Sequence, residues 1–265
     1  MHEMSVGQKN YLKSLLIHRW IVELSRIAIL VLFLAVWEIT ADHGIIDSFI
    51  FSSPSKIVLC FWSMVKDHTI FRHIGITLYE TIVSFFLTIF ISVLIAVLLW
   101  FSKKLSEILE PYLVVLNSLP KSALAPLLIV WLGANQTTII VAGMSVAIFG
   151  SILSLYTSFT TVDPEEIKLI YTLHGNKLHA LTKVVIPSSI PSIISMMKVN
   201  IGLCLVGVII GEFLAAREGL GYLIIYSSQV FKLDWLLMSI VLLCIMAMGL
   251  YSLINLLERF YKKRN

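Results

Sequence analysis

Long, uninterrupted apolar runs constrain this chain more than any other feature of its sequence. About 20 consecutive apolar residues span a bilayer as a helix, and runs of that length recur along the chain. A membrane-spanning barrel would need short segments of alternating polarity, so helices are expected instead. We therefore predict an all-α integral membrane protein with about six transmembrane helices, near 24–40, 76–101, 112–132, 137–159, 188–211 and 235–257.

The composition supports a single membrane domain. The chain is 58% hydrophobic and 14% charged, whereas a soluble domain is about one quarter charged. We predict a transmembrane domain at 24–259, between a cytoplasmic N-terminal segment at 1–23 and a cytoplasmic C-terminal tail at 260–265. Basic residues precede the run IAILVLFLAVW, as in a signal peptide, but no small-x-small cleavage site follows it. We interpret this run as a retained first span.

Lysine and arginine are unevenly distributed between the two sides of the predicted spans. Six spans place both termini on one side, and most of the 20 basic residues lie at the termini, at 102–107 or at 163–187. The opposite flanks hold only Lys56, Lys66, Arg72, Arg217 and Lys232. Basic residues favour the cytoplasm, so both termini are predicted to be cytoplasmic in a multi-pass protein of the cell membrane. This bias accounts for the positive charge without nucleic acid as a partner.

Residues 43–72 then lie outside the membrane. Within them, the stretch SSPSKIVLCFWSMVKD has a Ser and Pro start and apolar residues at helical spacing. It predicts a short helix in the outer membrane interface, with an ordinary loop as the alternative.

A charged segment, DPEEIKLIYTLHGNKLHALTKVVIP at 163–187, interrupts the apolar pattern between the fourth and fifth predicted spans. Asp163 is a favourable N-cap, Pro164 suits the first helical position, and Glu166 lies where a capping-box acid would lie. Gly175 is a favourable helix stop. The topology places this loop, at about 160–187, in the cytoplasm.

An apolar stripe follows one face of this predicted helix, with residues at i, i+3, i+4 and i+7: Ile167, Ile170, Tyr171 and His174. A second helix is predicted at about 177–186, ending at Pro187. The loop is too small to bury the stripe alone. Either a partner protein covers it, or it packs on the cytoplasmic helix ends of the same chain.

Three stretches resemble the permease subunits of ABC importers. The frame G-x8-VVIP-x3-P is similar to the family's cytoplasmic loop motif, with Gly175, Ile186, Pro187 and Pro191 in matching places. PYLVVLNSLPKSALAPLLIVWLGAN resembles the family's third span, and GEFLAAREGLGYLI resembles the segment after its fifth span. The resemblance covers about 72–260 and is nearest to permeases for sulfonates, taurine, nitrate or thiamine precursors.

This resemblance implies the transmembrane subunit of an ATP-driven importer that works as a dimer. The implied partners are two ABC ATPase subunits, a second copy of the permease, an extracytoplasmic substrate-binding protein and the lipid bilayer. The chain has no G-x4-G-K-[ST] phosphate loop, so we expect no enzymatic activity and no bound cofactor, with ATP used by the partner. The implied substrate is a small solute, either an anion such as a sulfonate or nitrate or a vitamin precursor.

The resemblance also implies which residues touch the ATPase through a coupling helix. They are Glu165, Glu166, Ile170, Tyr171, Leu173, His174 and Gly175. The chain departs from the family pattern, because Leu169, Ile170 and Tyr171 stand in place of Glu-Ala-Ala and Thr172 in place of a frequent Arg. Glu165 or Glu166 could replace the usual glutamate from one turn earlier. Glu80 stands where members often carry a basic residue.

Lys121 lies near the middle of the third predicted span, where inserting Lys costs roughly 2.5–3.5 kcal/mol. Such a residue usually faces a cavity or a partner, and the flanking Pro120 and Pro126 free backbone carbonyls that could solvate it. We predict that Lys121, with Asn117 one turn before it, lines the translocation pathway. The alternative is that the span starts later and Lys121 snorkels to the cytoplasmic face.

Further polar residues lie in or beside the fifth predicted span. Asn200 is predicted to line the pathway, whereas Lys198 is explained by snorkelling. Glu212 and Arg217 form either a local ion pair or, by their place in a family motif, an outer gate or binding-protein contact. Gly207 and Gly211 form a small-xxx-small face suited to close helix packing.

Two other function classes remain as rivals. A self-sufficient channel or secondary transporter would need ionisable residues near the midplane of several spans, and the segment at 163–187 would have no role in it. An intramembrane enzyme is disfavoured because HExxH, GxSxG and paired carboxylates within a span are absent, and we predict no catalytic residues. His174 and His179 share a helix face too poorly to chelate a metal, so no metal site is predicted.

Overall fold

The fold consists of helices joined by short turns over the residues that the computed structural model describes, 6–264. Residues 1–5 of the predicted N-terminal segment and Asn265 of the predicted C-terminal tail lie outside the described residues. The helices are α1 (Val6–Asp42), α2 (Ser48–Phe51), α3 (Pro54–Lys66), α4 (Thr69–Phe101), α5 (Lys103–Ser118), α6 (Lys121–Leu132), α7 (Gln136–Thr160), α8 (Pro164–Thr172), α9 (Lys177–Ala180), α10 (Ile186–Ala215), α11 (Leu220–Gln229) and α12 (Leu233–Arg264). A π-helical segment, Leu181–Val185, joins α9 to α10.

Five helical segments in the described part of the chain are long and apolar enough to cross a membrane: Lys13–Asp42, Thr69–Phe101, Gln136–Thr160, Lys177–Ala215 and Leu233–Tyr261. A sixth span results if the bent pair α5 and α6 is counted as one. The predicted all-α membrane fold with about six spans is therefore confirmed.

The third predicted span is not one straight helix. α5 ends at Ser118, α6 begins at Lys121, and the two helices are bent by 98°. Pro120 causes the break, because it has no backbone N–H to donate and it disfavours helical backbone at the preceding residue. Leu119 accordingly adopts an extended conformation, with φ −64° and ψ 139°. The prediction of a continuous span at 112–132 was wrong in this respect.

The chain divides into two compact units, of which the first ends at Ser63. In this unit, the carboxylate of Glu38 on α1 accepts a hydrogen bond of 3.0 Å from the backbone N–H of Ser55. The Lys56 ammonium donates to the hydroxyl of Ser48 at 2.9 Å. The short helix predicted within 43–72 is present as α3, and its membrane-interface position stays a prediction.

The second unit begins at Met64 and is a bundle around α4, α7 and α10. The middle of the buried face of α4 is mostly polar, and its polar residues recur every three or four positions: Thr77, Glu80, Thr81, Ser84, Thr88 and Ser92. The Ser84 hydroxyl donates to the carbonyl of Ile140 on α7 at 3.0 Å. Small hydroxyl side chains allow close helix approach and bond across the interface in membrane proteins. Phe86, Phe90 and Leu94 face outward, whereas Phe85 and Leu99 are buried with the polar residues.

Glycines bring α7 and α10 into backbone contact. A Cβ atom on Gly207 would lie 2.7 Å from the carbonyl oxygen of Ala142, and one on Gly211 would lie 3.0 Å from the Cα of Ile139. Gly143 faces them from α7, where a Cβ would lie 2.6 Å from the Ser84 hydroxyl. The predicted small-residue packing face is therefore present.

The bundle has two distinct ends, because α7 and α10 are antiparallel neighbours. Phe159 and Val185 pack in one cluster, at the end from which α8 projects; we call this the α8 end. Ile139 and Ala215 pack in another, beside the loop that contains Gly219; we call this the Gly219 end. These two ends frame the candidate sites.

Lys198 does not snorkel to the membrane surface as the sequence suggested. Its ammonium forms an ion pair with the carboxylate of Glu258 on α12 and donates to the Asn255 side chain at 3.1 Å. The side chains of Lys198 and Glu258 are only 16% and 19% exposed. Because a charge inside the bundle is costly unless it is paired, this contact fastens α10 to α12.

We expect Lys198→Met to destabilise the protein by about 3 kcal/mol, because it removes the ammonium that pairs with the Glu258 carboxylate inside the bundle. Unfolding of the purified chain in mixed micelles measures this change. Lys103→Met is the matched control, since the Lys103–Glu107 pair is 89% and 64% exposed and exposed pairs contribute less than about 1 kcal/mol. The double variant Lys198→Met/Glu258→Met should recover most of the loss. Equal effects of the two single variants would contradict the assignment.

Candidate functional site

The first candidate site is the projecting helix α8 at the α8 end of the bundle. It begins as the sequence predicts: Asp163 is the N-cap, its carboxylate accepts a 2.9 Å hydrogen bond from the backbone N–H of Glu165, and Pro164 occupies the first helical position. Glu165 and Glu166 lie in the first turn and are exposed, where acids favour the positive end of the helix dipole.

The C-terminus of α8 is a Schellman motif. The backbone N–H of His174 donates to the Tyr171 carbonyl at 3.1 Å, and that of Gly175 donates to the Ile170 carbonyl at 2.8 Å. The left-handed residue is His174, with φ +59°, and not Gly175 as expected. Gly175 is needed for another reason: a Cβ there would lie 2.5 Å from Cγ2 of Ile170 and 2.7 Å from its carbonyl oxygen.

The predicted apolar stripe is divided between two surroundings. Ile167 packs on the bundle's own cluster around Phe159. For this residue, the alternative of packing on the helix ends of the same chain therefore holds. Tyr171 is 46% exposed, and on the outer side of the helix Leu169 and Leu173 are 58% and 70% exposed. We call Leu169 and Leu173 the outer apolar face of α8. Nothing else in the described chain covers this face.

The segment after α8 differs from the sequence prediction. Asn176 and His179 form a capping box at the start of α9, but the second helix does not end at Pro187. It continues through the π-helical segment into α10. The ring of Pro187 would clash with the carbonyl four residues back in a regular α-helix. A π-helical segment immediately before the proline widens the turns and relieves this clash.

Lys177 ties this segment to the end of α4. Its ammonium donates to the carbonyl of Phe101 at 2.6 Å and lies 5.4 Å from the ring centroid of Trp100. A cation at this position complements the negative end of the α4 dipole. Ile167 and the following segment with Lys177 therefore hold one side of α8 on the bundle, and the outer apolar face on its other side is exposed.

A hydroxyl-rich cavity of about 480 Å³ lies beside α8. Its walls come from α7, α8, α10 and the turn before α8: Ser154, Thr157, Ser158, Thr161, Val162, Asp163, Glu166, Ser188 and Ser192. This is a polar opening at the α8 end of the bundle.

Lys121 lies in the break between α5 and α6. Its ammonium donates to the carbonyls of Leu116 at 2.5 Å and Asn117 at 3.0 Å, and it lies 5.4 Å from the ring centroid of Phe149. The last carbonyls of a helix have no partner within that helix, and Lys121 supplies one for α5. The freed carbonyls that the sequence predicted do solvate the ammonium. A role in the pathway stays a prediction.

The two asparagines of the predicted pathway have different surroundings. Asn117 is exposed, and its side-chain oxygen would lie 3.2 Å from a Cβ on Gly150. Asn200 is 2% exposed, and its side-chain nitrogen has no hydrogen-bond partner among the described residues. The structure does not bring Asn200 to an open surface of this chain, because it lies inside the bundle.

The second candidate site is at the Gly219 end, where Glu212 is enclosed by backbone. Its carboxylate accepts hydrogen bonds from the Thr77 hydroxyl at 2.6 Å and from the backbone N–H of Gly221 at 2.5 Å. This carboxylate satisfies the N-terminus of α11 and complements its dipole. Glu212 is fully buried and is not bonded to Arg217, which is exposed. Their predicted gate or binding-protein contact stays a prediction.

Two glycines are required for this enclosure. Gly219 has φ +116° and ψ 164°, a region that is essentially restricted to glycine. A Cβ on Gly219 would lie 2.5 Å from Cδ of Glu212, and one on Gly221 would lie 2.7 Å from its Oε2. The motif with Glu212, Gly219 and Gly221 is therefore explained by structure: the backbone at the two glycines encloses the Glu212 carboxylate and leaves no room for a side chain.

A cavity of about 480 Å³ opens beside this enclosure. It is lined by Ile76, Glu80, Ala134, Asn135, Gln136, Ile139, Ala215, Ala216, Arg217 and Glu218. Glu80 is 1% exposed, and its Oε2 atom has no hydrogen-bond partner among the described residues. The sequence did not predict that Glu80 forms a carboxyl pair, because its neighbour Glu212 belongs to another span. Polar residues recur every three to four positions in 77–92, and this spacing indicates a polar helix face that includes Glu80.

Comparison with known proteins identifies the chain's relatives. The family described as binding-protein-dependent transport system inner membrane component matches residues 88–265. The taurine transport system permease protein TauC of Escherichia coli (strain K12) is 22% identical over 252 residues, which cover 91% of each chain. The formylaminopyrimidine transport permease protein ThiX of Halalkalibacterium halodurans is 25% identical over 189 residues, covering 71% of this chain and 75% of that protein.

The fold is also similar to that of a solved transporter. A chain from the inward-facing MetNI methionine ABC transporter superposes with a TM-score of 0.65 at 17% identity. The match covers 73% of this chain and 96% of that one. At this identity the likeness shows a shared fold.

Proposed function

Because the chain belongs to the family of binding-protein-dependent transport system inner membrane components, we propose that it forms the translocation pathway of an ATP-driven importer as a homodimer. Each copy is coupled through α8 to one of two separate ATPase subunits. A substrate-binding protein delivers the solute from outside the cell membrane, and both termini of the permease are cytoplasmic. ATP is bound and hydrolysed by the ATPase subunits.

The outer apolar face of α8 carries this proposal. Leu169 and Leu173 are among the most exposed apolar residues of the segment between α7 and α10, and they lie outside the predicted spans, where lipid does not cover them. Large apolar residues exposed to water mark a contact site. The other side of α8 is fastened to the bundle, so a protein seated on this face would push against the bundle itself.

The two polar cavities support a pathway along the α7–α10 pair. One lies at the α8 end and the other at the Gly219 end. Transporter sites lie where polar groups line cavities between helices. We propose that the transported solute is small. The two relatives named above differ in substrate, since one is a taurine permease and the other a formylaminopyrimidine permease.

Affinity purification of the tagged full chain from membranes tests the proposal. We expect an ABC ATPase subunit to co-purify in equal amount, and Leu173→Asp to reduce its recovery at least tenfold, because a charge replaces an apolar contact that binding would desolvate. Lys168→Gln is the control, since it changes an exposed side chain of α8 away from the outer apolar face. Purification without any ATPase, while solute uptake continues, would favour a secondary transporter or channel.

A further inference from the structure

The cavity at the Gly219 end contains an acid whose hydrogen bonding is incomplete. Glu80 is almost completely buried, yet its Oε2 atom has no partner among the described residues. The side chains of Gln136 and Glu212 both hydrogen-bond the Glu80 carboxyl, so the two carboxyls share one proton. A buried polar atom without a partner costs free energy, and a carboxyl pair that shares one proton keeps one negative charge, which attracts a positive group. This wall of the cavity is therefore suited to a cationic group.

The rim of the same cavity carries the opposite charge. Arg217 is exposed, and no carboxylate of the described residues lies within ion-pair distance of it. The other charged residue of the rim, Glu218, is already paired with Arg72, at 2.6 Å. Arg217 thus offers a guanidinium with free donors, which suits a sulfonate or carboxylate.

We propose that this cavity binds a small zwitterion, with its amine toward Glu80 and its acidic group toward Arg217. A volume of about 480 Å³ is in the range of small-molecule sites, and a few converging polar groups orient the ligand in such sites. This assignment rests on the proposed import function and narrows its substrate to solutes that carry an amine and an acid. It replaces the expectation of a simple anion.

Binding to the full chain in lipid nanodiscs tests this proposal with probes of one carbon skeleton. Taurine carries both charges, ethanesulfonate lacks the amine and ethylammonium lacks the acid, and β-alanine is a second zwitterion. Ligand-observed NMR titrations give the dissociation constants. We expect taurine or β-alanine to bind at least about tenfold more tightly than either single-charge probe, a difference of about 1.4 kcal/mol.

Two variants separate the roles of the charges. Glu80→Gln should abolish the preference for taurine over ethanesulfonate, and Arg217→Gln should abolish the preference for taurine over ethylammonium. Arg217 is exposed, so its variant tests the proposal even where Glu80→Gln does not fold. Glu107→Gln removes an equal charge from the 64% exposed Glu107 on α5 and should change neither preference.

The proposal is overturned if neither zwitterion binds, if the zwitterions and ethanesulfonate bind equally well to the unmodified chain, or if Glu80→Gln keeps the preference. Equal binding would mean that a proton, and not an amine, neutralises Glu80. The co-purification of the ATPase is measured on the same unmodified protein. Failure there with intact zwitterion preference rejects the import mechanism alone, whereas the reverse result rejects only this ligand class.

Discussion

Gly175→Leu is expected to lower ATP-driven uptake in proteoliposomes at least tenfold while the protein still inserts and purifies normally. The first carbon of any side chain at this position would lie 2.7 Å from the backbone oxygen of Ile170, so the last turn of α8 must move. Moving it displaces the neighbouring Leu173 and the outer apolar face. A 1 Å misplacement of a working group can cost about a hundredfold in rate, so the effect on transport should be large although the bundle is untouched.

Gly75→Leu is the matched control, because Gly75 lies in a helix and a Cβ there would meet nothing within 4 Å. Uptake and ATP hydrolysis are measured together. We expect Gly175→Leu to retain ATP hydrolysis while uptake falls at least tenfold, whereas Gly75→Leu should retain both activities. Full uptake by Gly175→Leu would remove α8 as the coupling element.

Gly219→Ala is expected to destabilise the protein by about 2.5–6 kcal/mol. Its backbone conformation costs a non-glycine residue roughly 1–3 kcal/mol, and the new Cβ would press on the Glu212 carboxylate. Displacing this carboxylate weakens its hydrogen bonds to Thr77 and Gly221, and bonds to charged groups contribute about 1.5–3 kcal/mol. Unfolding in mixed micelles, followed by circular dichroism, measures the sum.

Gly133→Ala separates the two contributions. Gly133 has φ +82° and ψ 169°, close to the backbone conformation of Gly219, but a Cβ there would meet nothing nearer than 3.4 Å. We expect it to cost only the conformational part, about 1–3 kcal/mol. If both variants lose the same stability, the enclosure of Glu212 contributes nothing and the explanation of the glycine spacing fails.

The sequence was sufficient for features that depend on local chemistry. The apolar runs predicted the spans because lipid demands continuous apolar helix. Asp163 and Pro164 predicted the start of α8, since a cap and a first-turn proline act within a few residues. The small-residue face at Gly207 and Gly211 predicted close packing for the same reason.

Features that depend on distant partners were not predictable in this way. Lys198 resembles a snorkelling lysine until Glu258, sixty residues later, is brought beside it. Pro187 resembles a helix end, but the preceding turns widen to π-helical geometry and the helix continues. Glu80 and Glu212 lie on different spans, so their proximity becomes visible only when α4 and α10 are packed together.

The unbroken helical path from Lys177 to Ala215 has a mechanical consequence. Its 39 residues form a rod of about 58 Å at the rise of an α-helix. No break in the helix separates the foot of this rod, beside Phe101, from its tip beside Arg217. Tilting the foot by about 10° around a central pivot would swing the tip by about 5 Å. In the proposed zwitterion site, such a stroke would move Arg217 away from Glu80, so movement at the α8 end would drive release of the solute at the Gly219 end.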